Sequence, residues 1–330
     1  MINRPKICIP ITSVTRDEIT ETARKFATLP AEMVEWRVDF FAGYEREIPA
    51  VTKELKEILG NKELITTIRT THEGGESNGD RFPYKETICK ILTEGKTDYI
   101  DVEIYRGKNI VSEVVSKAKE SGVKVIGSYH NFEKTPSEEE LTAGLEEARE
   151  LGVDIGKAAC MPAGSDEEQW EDVMRLLSVT EKMHEKHPEF PLITMSMGKA
   201  GEMSILYGAI VSFGCAGKAS APGQIELDAM MEVFDKIYAG GDQISLIGFM
   251  GVGKSAISHK LHELTGRPEV DTDKRIVEEQ GCPIPRIFEE KGEAYFRRLE
   301  TDLIDELGTL PPGIISCGGG VGVLCVHLEK

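Results

Sequence analysis

A regular alternation of short apolar runs with longer amphipathic runs constrains the fold more than any other feature, and it continues from the N-terminus to Tyr238. The apolar runs have the length of strands, and the runs between them have helical periodicity. The predicted strands are Lys6–Ile11, Met33–Val38, Leu64–Arg69, Tyr99–Glu103, Val123–Tyr129, Val153–Ala159, Leu192–Met195 and Gly217–Ser220. The predicted helices are Arg16–Ala27, Ala50–Leu59, Phe82–Glu94, Ile110–Ser121, Ser137–Leu151, Asp166–His184 and Ile225–Tyr238. Strands and helices in this order indicate a (β/α)8 TIM barrel.

A doubly wound open sheet is the alternative for such a pattern. It predicts a glycine-rich phosphate-binding turn directly after the first strand, and Pro10-Ile11-Thr12 does not have that composition. A barrel makes a different demand, because the catalytic groups of this fold collect at the carboxyl ends of the strands. The predicted strand ends carry Glu35, Arg37, Asp39, Arg69, Glu73, Asp101, Glu103, His130, Lys157, Met195, Met197, Ser220 and Gln224. The sequence therefore favours the barrel and places an active site at that end.

Two neighbouring strands contribute the residues with the most distinctive chemistry. The run Val123–Tyr129 leads to His130, and the run Val153–Ala159 contains Lys157 among apolar residues. Burying an ammonium costs free energy unless the group loses its proton or finds a partner. A neutral lysine is an amine nucleophile that forms a Schiff base with a ketone, and an imidazole beside it can move protons. The alternative is a lysine that extends out of the strand end and pairs with an acid.

The segments around these residues resemble the type I 3-dehydroquinate dehydratases of the shikimate pathway. The resembling segments are EWRVD, IRTTHEGGE, DVE, YHNF with KTP, DIGKAACMP, TMSMG and ASAPGQ. They stand in the family's order, each on the expected strand, and the resemblance extends from Met1 to about Tyr238. It implies dehydration of 3-dehydroquinate to 3-dehydroshikimate, in aromatic amino acid biosynthesis, without a metal or organic cofactor.

The same resemblance assigns roles to residues. Lys157 matches the Schiff-base lysine, His130 the general acid and base, and Glu73 the carboxylate that orients and tunes the histidine. An iminium on the lysine would act as the electron sink, while the imidazole removes the adjacent proton and then protonates the departing hydroxyl. The residues expected to contact the substrate are Glu35, Arg37, Arg69, Met195, Phe213, Ser220 and Gln224, of which the last two lie on a loop expected to close over it.

One position departs from the family pattern. After TMSMGKAGEMS the resemblance implies an arginine that binds the substrate carboxylate, whereas here Ser204 is followed by Ile205. No arginine occurs between residues 175 and 267. Lys199 and Lys218 are poor substitutes, because an ammonium cannot form the two parallel hydrogen bonds of a guanidinium. We therefore expect weakened binding of the substrate.

A second motif follows a short predicted linker at residues 239–242. The stretch Gly248–Ser255 reads GFMGVGKS and satisfies the P-loop pattern GxxxxGK[ST]. It follows an apolar strand, Ile244–Ile247, and opens an amphipathic helix, which is the context of a P-loop. Backbone N–H groups and the helix N-terminus hold phosphates in such a loop. The predicted ATP- and phosphate-binding residues are Gly248, Gly251, Gly253, Lys254 and Ser255.

The segments EVDTD, EKGEAYFRRLE and SCGGG come next, and in this order behind a P-loop they resemble shikimate kinase. By that resemblance Ser255 and Asp271 hold Mg²⁺, with ATP as the nucleotide. The residues that would hold shikimate are Asp273, Arg297, Gly318, Gly319 and Gly320. The alternatives are a helix N-cap for the aspartates and a plain turn for the glycines.

Only part of the kinase pattern is present. The predicted strands are Ile244–Ile247, Glu269–Asp271 and Gly313–Ser316, and the resemblance is lost after Gly320. We therefore expect a C-terminally incomplete P-loop α/β domain that binds nucleotide phosphate at best and does not phosphorylate shikimate. These features predict a barrel domain over residues 1–238 and a kinase-like segment over residues 243–330.

The acidic composition limits the partners. Lysine and arginine total 39 against 57 aspartates and glutamates, a net charge of −18, which argues against a nucleic-acid or anionic-membrane surface. The seven cysteines form neither a CxxC pair nor a zinc spacing, which fits reduced thiols. We therefore expect a cytoplasmic protein with a small-molecule substrate, a nucleotide as a second ligand, and a homodimer as an open alternative.

Three other functions stay open at this stage. The chain could be a bifunctional dehydratase and shikimate kinase, or a non-catalytic barrel with an impaired substrate site. It could also be another Schiff-base barrel enzyme, such as a class I aldolase. Aldolases of phosphosugars would need a phosphate site at strands seven and eight, and Ala221-Pro-Gly is not glycine-rich enough to indicate one.

Overall fold

The structure, a computed structural model, describes residues 4–76, 79–206, 209–217, 219–238, 243–247 and 254–318. The chain divides into two compact units, Pro5–Met230 and Met231–Lys330 together with Met1–Arg4. In the described ranges, no helix is both long enough and apolar enough to cross a membrane. The predicted linker at residues 239–242 lies outside the described residues, so the predicted domain limits at 238 and 243 stay a prediction.

Eight parallel strands build the first unit. They are β1 (Lys6–Ile11), β2 (Met33–Arg37), β3 (Glu63–Thr67), β4 (Tyr99–Glu103), β5 (Lys124–Asn131), β6 (Ile155–Cys160), β7 (Leu192–Ser196) and β8 (Val211–Phe213). Their order in the sheet is β7-β6-β5-β4-β3-β2-β1-β8. The N–H of Ile210 donates to the carbonyl of Leu192 at 3.1 Å and joins the two end strands. The sheet closes into the predicted (β/α)8 barrel, and the doubly wound alternative is wrong.

Helices follow the strands along the chain. The α-helices are α1 (Arg16–Ala27), α2 (Ile48–Leu59), α3 (Tyr84–Glu94), α4 (Lys108–Ser121), α5 (Glu138–Glu150), α6 (Asp166–Lys186) and α7 (Leu227–Tyr238). The 3-10 helices are Val38–Phe40, Glu45–Glu47, Thr71–Glu73, Gly79–Arg81, Ile104–Arg106 and Lys199–Leu206. Helices α1, α5 and α6 each begin with a capping box, which satisfies the free amides of their first turns. After β7, the 3-10 helix Lys199–Leu206 stands where the other strands are followed by an α-helix.

An apolar cluster fills the barrel interior. Each strand contributes an inward residue to it: Cys8, Met33, Ile65, Tyr99, Ile126, Ile155, Ile193 and Val211, with Phe213 added from β8. Side chains two residues apart on a strand point to the same face. The next inward-facing residues after these apolar ones therefore lie closer to the carboxyl ends of the strands. The apolar cluster forms the floor beneath them.

Carboxylates secure the opposite end of the barrel. Three acidic residues that precede a strand each accept the backbone N–H near the start of the neighbouring strand. The pairs are Glu32 with Ile7 at 2.9 Å, Asp98 with Leu64 at 2.7 Å and Asp154 with Val125 at 2.8 Å. These bonds satisfy amides at strand ends, where the ladder leaves donors unpaired. They also fix the register of neighbouring strands at the end remote from the predicted active site.

The predicted eighth strand, Gly217–Ser220, was wrong. The eighth strand is β8, and it pairs with β1 from Val211 opposite Lys6 to Phe213 opposite Cys8. Gly217 has a φ of 107°, which an extended strand does not allow. Because β8 is only 3 residues long, its apolar run is too short to stand out in the sequence. Residues 219–224 belong to the loop after β8.

The second unit contains a small parallel sheet. Its strands are β9 (Ile244–Leu246), β10 (Glu269–Asp271) and β11 (Ile314–Ser316), in the order β10-β11-β9. Its helices are α8 (Lys254–Thr265), α9 (Thr272–Gln280), α10 (Ile284–Lys291) and α11 (Glu293–Leu307). The core includes Ile276, Ile287, Phe296, Leu303, Leu307 and Ile315. The three predicted parallel strands are therefore present, in a P-loop-like α/β arrangement.

Candidate active site

A cavity with about 460 Å³ of empty space, part of it open to solvent, lies at the carboxyl ends of the barrel strands. It is lined by every barrel residue that the sequence predicts to act on or bind a substrate. These are Glu35, Arg37, Arg69, Glu73, His130, Lys157, Met195, Phe213, Ser220 and Gln224. For the polar residues that lie on strands, the strand alternation explains this convergence, because Glu35, Arg37, His130 and Lys157 each follow an inward apolar residue at an even spacing. Lys157, for example, comes two residues after Ile155 on β6.

The side chain of Lys157 is 5% exposed and lies against two carboxylates. Its Nζ is 3.3 Å from Asp101 Oδ2 and 3.9 Å from Glu35 Oε1. The ring of Phe213 lies 4.6 Å from the same nitrogen. The lysine is therefore buried, as expected, but its surroundings are only partly apolar. The predicted alternative, in which it pairs with an acid, also holds. Burial alone would raise the pKa of Asp101, but Arg69 and Lys157 outweigh burial and lower it.

Arg69 organises the floor of the cavity through four acceptors. Its Nη2 donates to Asp101 Oδ1 at 2.7 Å, and its Nη1 lies 3.2 Å from Glu103 Oε1, 3.0 Å from Ser128 Oγ and 3.5 Å from Glu73 Oε2. Burial opposes the charge of Arg69, but the three carboxylates outweigh that effect and raise its pKa. Arg69 is therefore a permanent cation, and both of its terminal nitrogens contact acceptors of the protein.

Glu73 and His130 form a close pair beside the lysine. Glu73 Oε2 accepts the backbone N–H of His130 at 2.9 Å and lies 3.0 Å from the ring Nδ1. Burial raises the pKa of Glu73 to about 8, although Arg69 acts in the opposite direction. Burial also lowers the pKa of His130 well below its ordinary value, and the positive charges of Arg69 and Lys157 add to this. At neutral pH the pair consists of a protonated carboxyl and a neutral imidazole.

The hydrogen bonds at Oε2 define the tautomer of His130. This oxygen accepts the backbone N–H of His130 and also faces Arg69 Nη1 at 3.5 Å, so two donors favour it as the carbonyl oxygen of the protonated carboxyl. The same oxygen then accepts Nδ1–H from the ring, at 3.0 Å. This leaves Nε2 of His130 without a proton. The nitrogen that remains available is therefore a base.

Arg37 and Asp39 form a buried bidentate ion pair. Nε and Nη2 of Arg37 donate to the two oxygens of Asp39 at 2.9 Å and 2.8 Å. Asp39 is fully buried and also accepts the backbone N–H groups of Arg69 at 3.4 Å and Glu76 at 3.1 Å. Asp39 therefore ties the end of β2 to the loop after β3, which carries Glu73.

The loops after β7 and β8 meet through glycine. The N–H of Gly198 donates to the carbonyl of Pro222 at 3.1 Å. A Cβ atom on Gly223 would lie 2.5 Å from the carbonyl oxygen of Gly198, so no side chain fits there. In the second loop, Gln224 Oε1 accepts the N–H of Ser220 at 2.8 Å. The loop that carries Ser220 and Gln224 is thereby held against the loop after β7.

Several functional contacts were not predicted from the sequence. Asp39, Asp101 and Glu103 were recognised as polar strand ends but received no role, and Ser128 was not singled out. Ser128 Oγ donates to Asp101 Oδ1 at 2.6 Å while it accepts from Arg69. Its signal was its position two residues before His130 on the same face of β5. Phe132 also lines the cavity, where its ring packs on Gly74.

In the second unit, the predicted metal-binding residues lie side by side. Ser255 Oγ donates to Asp271 Oδ2 at 2.9 Å. Asp271 Oδ1 also accepts the N–H of Lys274 at 3.1 Å and caps α9, so the alternative role as an N-cap holds for this residue as well. Lys254 opens α8 as expected. The predicted phosphate-binding residues Gly248, Gly251 and Gly253 lie outside the described residues.

The predicted shikimate-binding residues also come together, as far as the structure describes them. A Cβ atom on Gly318 would lie 2.3 Å from Asp273 Oδ1, which shows how closely the two residues pack. Arg297 donates to Glu300 Oε2 at 2.7 Å and to Glu293 Oε1 at 3.1 Å. Glu300 is buried and was not predicted from the sequence. Gly319 and Gly320 lie outside the described residues.

Within the described ranges, no cluster of three or more histidine, cysteine or acidic side chains has the geometry to hold a metal ion. The six cysteines in these ranges, Cys8, Cys89, Cys160, Cys215, Cys282 and Cys317, are free thiols. The ionisable groups in the described lining of the barrel cavity are an amine, an imidazole, carboxylates and guanidinium groups.

Comparison with known proteins identifies both parts of the chain. A family model described as type I 3-dehydroquinase matches residues 7–240, and one described as shikimate kinase matches residues 250–325. The 3-dehydroquinate dehydratase of Bacillus licheniformis is 39% identical over 236 residues, covering 70% of this chain and 91% of the relative. That of Clostridioides difficile is 37% identical over 241 residues, covering 71% and 92%.

Solved structures agree with this similarity. The type I 3-dehydroquinate dehydratase from Clostridium difficile, crystallised with covalently modified comenic acid, is 36% identical and has a TM-score of 0.65. It covers 71% of this chain and 92% of its own. The 3-dehydroquinate dehydratase from Geobacillus kaustophilus is 30% identical, with a TM-score of 0.64 and coverage of 71% and 91%. The chain belongs to the type I 3-dehydroquinate dehydratase family, and a segment similar to shikimate kinase follows its barrel.

Proposed function

We propose that the barrel dehydrates 3-dehydroquinate to 3-dehydroshikimate through a Schiff base on Lys157. The observation that carries this proposal is the position of the buried Lys157 amine in a cavity that also holds the His130–Glu73 pair. The relatives that share the barrel are named as dehydratases of this substrate. A class I aldolase is disfavoured by the same family membership.

The first step is attack of the amine on the substrate ketone. Lys157 must release a proton to become nucleophilic, and Asp101 and Glu35 are the acceptors nearest to its nitrogen. Loss of water from the resulting carbinolamine leaves an iminium whose positive charge faces the same two carboxylates. That charge withdraws electrons from the adjacent carbon and makes its proton acidic.

His130 carries out the proton transfers. Its unprotonated Nε2 takes the proton next to the iminium carbon, and the ring becomes an imidazolium held by Glu73. The imidazolium then protonates the departing hydroxyl, so that water leaves as the double bond forms. Because burial disfavours the charged ring, the imidazolium gives up its proton readily. Hydrolysis of the iminium releases the product and restores the lysine.

The remaining residues bind and enclose the substrate. Glu35, Arg37 and Arg69 offer polar contacts from the walls, and Met195 and Phe213 offer apolar ones. Ser220 and Gln224 close the cavity from the loop after β8. Ile205 lies in the 3-10 helix after β7, where the family pattern has an arginine. Weak substrate binding therefore stays a prediction.

The direct test is an assay of the purified chain with 3-dehydroquinate, following the absorbance of the conjugated enone product. We expect turnover without added metal or cofactor, and its loss in Lys157→Ala. Lys85→Ala is the matched control, because Lys85 is a lysine outside the cavity that pairs with Glu113 at 3.0 Å. Absence of any turnover in the unmodified, folded chain would contradict the proposal and favour the non-catalytic alternative.

We further propose that the second unit binds the phosphates of ATP with Mg²⁺ but does not phosphorylate shikimate. Similarity to shikimate kinase supports a nucleotide as its ligand. The side-chain oxygens of Ser255 and Asp271 lie 2.9 Å apart, and oxygen atoms are the ligands that Mg²⁺ prefers. Arg297, predicted to hold shikimate, is engaged instead by Glu293 and Glu300. The free thiols support the cytoplasm as the compartment, and a homodimer stays a prediction.

A further inference from the structure

The substrate of the proposed reaction carries a carboxylate, and the cavity must supply a cation to bind it. We infer that Arg37 binds this carboxylate, through the edge of its guanidinium that Asp39 leaves open. The inference rests on the proposed function, because it concerns how the same substrate is held. It assigns the anion contact to β2 rather than to the loops after β7 and β8.

Few cations line the cavity, and this limits which residue can bind the substrate carboxylate. The cationic residues among its described lining are Arg37, Arg69 and Lys157. Lys157 forms the bond to the ketone in the proposed reaction, and Arg69 already reaches four acceptors with its two terminal nitrogens. The loops after β7 and β8 carry no arginine, because none occurs between residues 175 and 267. Arg37 differs from Arg69 in that one of its terminal nitrogens, Nη1, has no acceptor among the described residues.

The geometry of Arg37 leaves one edge available. Its Nε and Nη2 donate side-on to Asp39, and within the described residues no acceptor contacts its Nη1. A guanidinium has five N–H donors, so the Nη1 and Nη2 groups still present a parallel pair of N–H bonds on the outer edge. Two parallel N–H bonds match the two oxygens of a carboxylate. The side chain of Arg37 is 10% exposed, and the described lining of the cavity includes it.

The position of Arg37 suits a ring attached to Lys157. Glu35 lies 3.9 Å from the lysine nitrogen, and Arg37 follows two residues later on the same face of β2. Two residues of strand advance the chain by roughly 7 Å toward the mouth of the cavity. A six-membered ring joined to Nζ through its ketone carbon extends in that direction. Its carboxylate then comes within reach of the outer edge of the guanidinium.

Asp39 makes Arg37 a rigid anion receptor. Asp39 is fully buried and is fixed by the backbone N–H groups of Arg69 and Glu76 as well as by Arg37. The ring of Phe40 lies 5.3 Å from the guanidinium carbon and packs against it. A guanidinium held in this way has little conformational freedom to lose when a second carboxylate binds.

The test compares 3-dehydroquinate with its neutral methyl ester in three proteins: the unmodified chain, Arg37→Gln and Arg37→Lys. We expect the unmodified chain to favour the acid over the ester in kcat/KM by roughly ten- to a hundredfold, the value of a charge-assisted contact. Arg37→Gln should lower kcat/KM for the acid by that factor, mainly through KM, and should leave the ester almost unaffected. Arg37→Lys should give an intermediate preference. Arg149→Gln, which removes an arginine of α5 paired with Glu146, should keep the full preference.

The outcomes separate this inference from the proposed function. If Arg37→Gln turns over substrate but keeps the preference for the acid, another cation binds the carboxylate and the inference is wrong. It is equally wrong if acid and ester lose activity in parallel, because Arg37 then does not act through the carboxylate. If Arg37→Gln does not fold, the preference must still fall in Arg37→Lys. If the unmodified chain neither turns over the acid nor forms a borohydride-trapped adduct with it, the proposed function itself fails.

Discussion

One oxygen of Glu73 contacts His130 twice: Oε2 lies 2.9 Å from the backbone nitrogen and 3.0 Å from the ring Nδ1. The two contacts fix the ring and its tautomer together, so the carboxyl can hold the imidazole while it is itself protonated. Glu73 would then act through hydrogen bonds at neutral pH and through its charge only in alkaline solution.

Glu73→Gln should therefore retain most of kcat at pH 7, because the amide oxygen can accept the same two N–H groups. Glu73→Ala should lose roughly ten- to a hundredfold. The unmodified enzyme should show an ionisation near pH 8, the pKa of Glu73, and Glu73→Gln should lack it. The check is the pH profile of kcat from pH 6 to about 9.5. An unchanged ionisation near pH 8 in the glutamine variant would assign it to another group.

The same shift predicts how stability varies with pH. Folded Glu73 binds its proton more tightly than an unfolded glutamate, whose pKa is 4.5. Its contribution to the free energy of unfolding is complete below pH 4.5 and is lost as the pH rises through about 8. Urea titrations at several pH values should therefore show a smaller loss of stability between about pH 4.5 and 8 in Glu73→Gln than in the unmodified chain. Parallel curves for the two proteins would speak against the shift.

Borohydride should trap the Schiff base on Lys157. Reduction of the chain mixed with 3-dehydroquinate should add one adduct, which peptide mass spectrometry would place on the peptide that contains Lys157. Lys157→Ala should form none, whereas His130→Ala should still form it, because the imine forms before His130 acts. An adduct on a different lysine would rule out the assigned nucleophile.

Asp101→Asn should destabilise the barrel strongly. Asp101 is 1% exposed and bridges Arg69 and Lys157, so the isosteric amide leaves two buried cations short of a counter-charge. Breaking a buried ion pair in this way costs about 3–5 kcal/mol of unfolding free energy. The measurement is urea denaturation, with Glu113→Gln as the control on a solvent-exposed ion pair. Equal denaturation midpoints for Asp101→Asn and its control would show that the bridge does not stabilise the fold.

Gly223→Ala should raise KM by displacing the loop that carries Ser220 and Gln224. Gly223 has a φ of 82°, and an added Cβ would lie 2.5 Å from the carbonyl oxygen of Gly198. Gly122→Ala is a matched control, because Gly122 has a φ of 69° with no atom within 4 Å of its Cβ position. Both variants introduce backbone strain of about 1–2 kcal/mol, but only Gly223→Ala should change KM. Similar KM values for the two variants would show that the contact between the loops does not affect substrate binding.

The second unit should bind a non-hydrolysable ATP analogue with Mg²⁺, as measured by calorimetry. Lys254→Ala should abolish this binding, and Asp271→Asn should weaken its dependence on Mg²⁺. No shikimate-dependent release of ADP is expected in a coupled assay. Release of ADP that requires both ATP and shikimate would instead support the bifunctional alternative.

The predictions from the sequence were accurate for those strands that the local pattern of apolar residues determines. Strands such as Lys6–Ile11 and Tyr99–Glu103 match the structure to the residue, because apolar runs of that length have no competing conformation. The prediction of the eighth strand was wrong because closure of the barrel, and not the pattern of the three residues Val211–Phe213, decides which segment pairs with β1. A 3-10 helix, Lys199–Leu206, follows β7, and helical periodicity in the sequence does not predict it.

The polar residues that line the cavity were predicted from the sequence, but most of the hydrogen bonds and ion pairs between them were not. Which acid pairs with which cation depends on the register of strands that are remote in the chain. Asp101 and Lys157 are separated by 56 residues, and Arg69 and Ser128 by 59. No local pattern carries that information. The identity of the acids that pair with Lys157, and the four acceptors around Arg69, are therefore seen only in the structure.

The closure of the barrel between β7 and β8 has a mechanical consequence. Next to the strands themselves, the described bond across this seam is the one from Ile210 to Leu192, and the loops beyond the strands are joined by the bond from Gly198 to Pro222. In contrast, β6 is held on both sides by ladders of several residue pairs. His130 and Lys157 lie on adjacent strands within the firmly paired part of the wall, and Met195 and Phe213 lie on the two sides of the seam. If the bond between the two loops opened and the seam widened, the mouth of the cavity would enlarge while the amine and the imidazole kept their separation. Such an opening would make entry and release of the ring independent of the alignment needed for proton transfer.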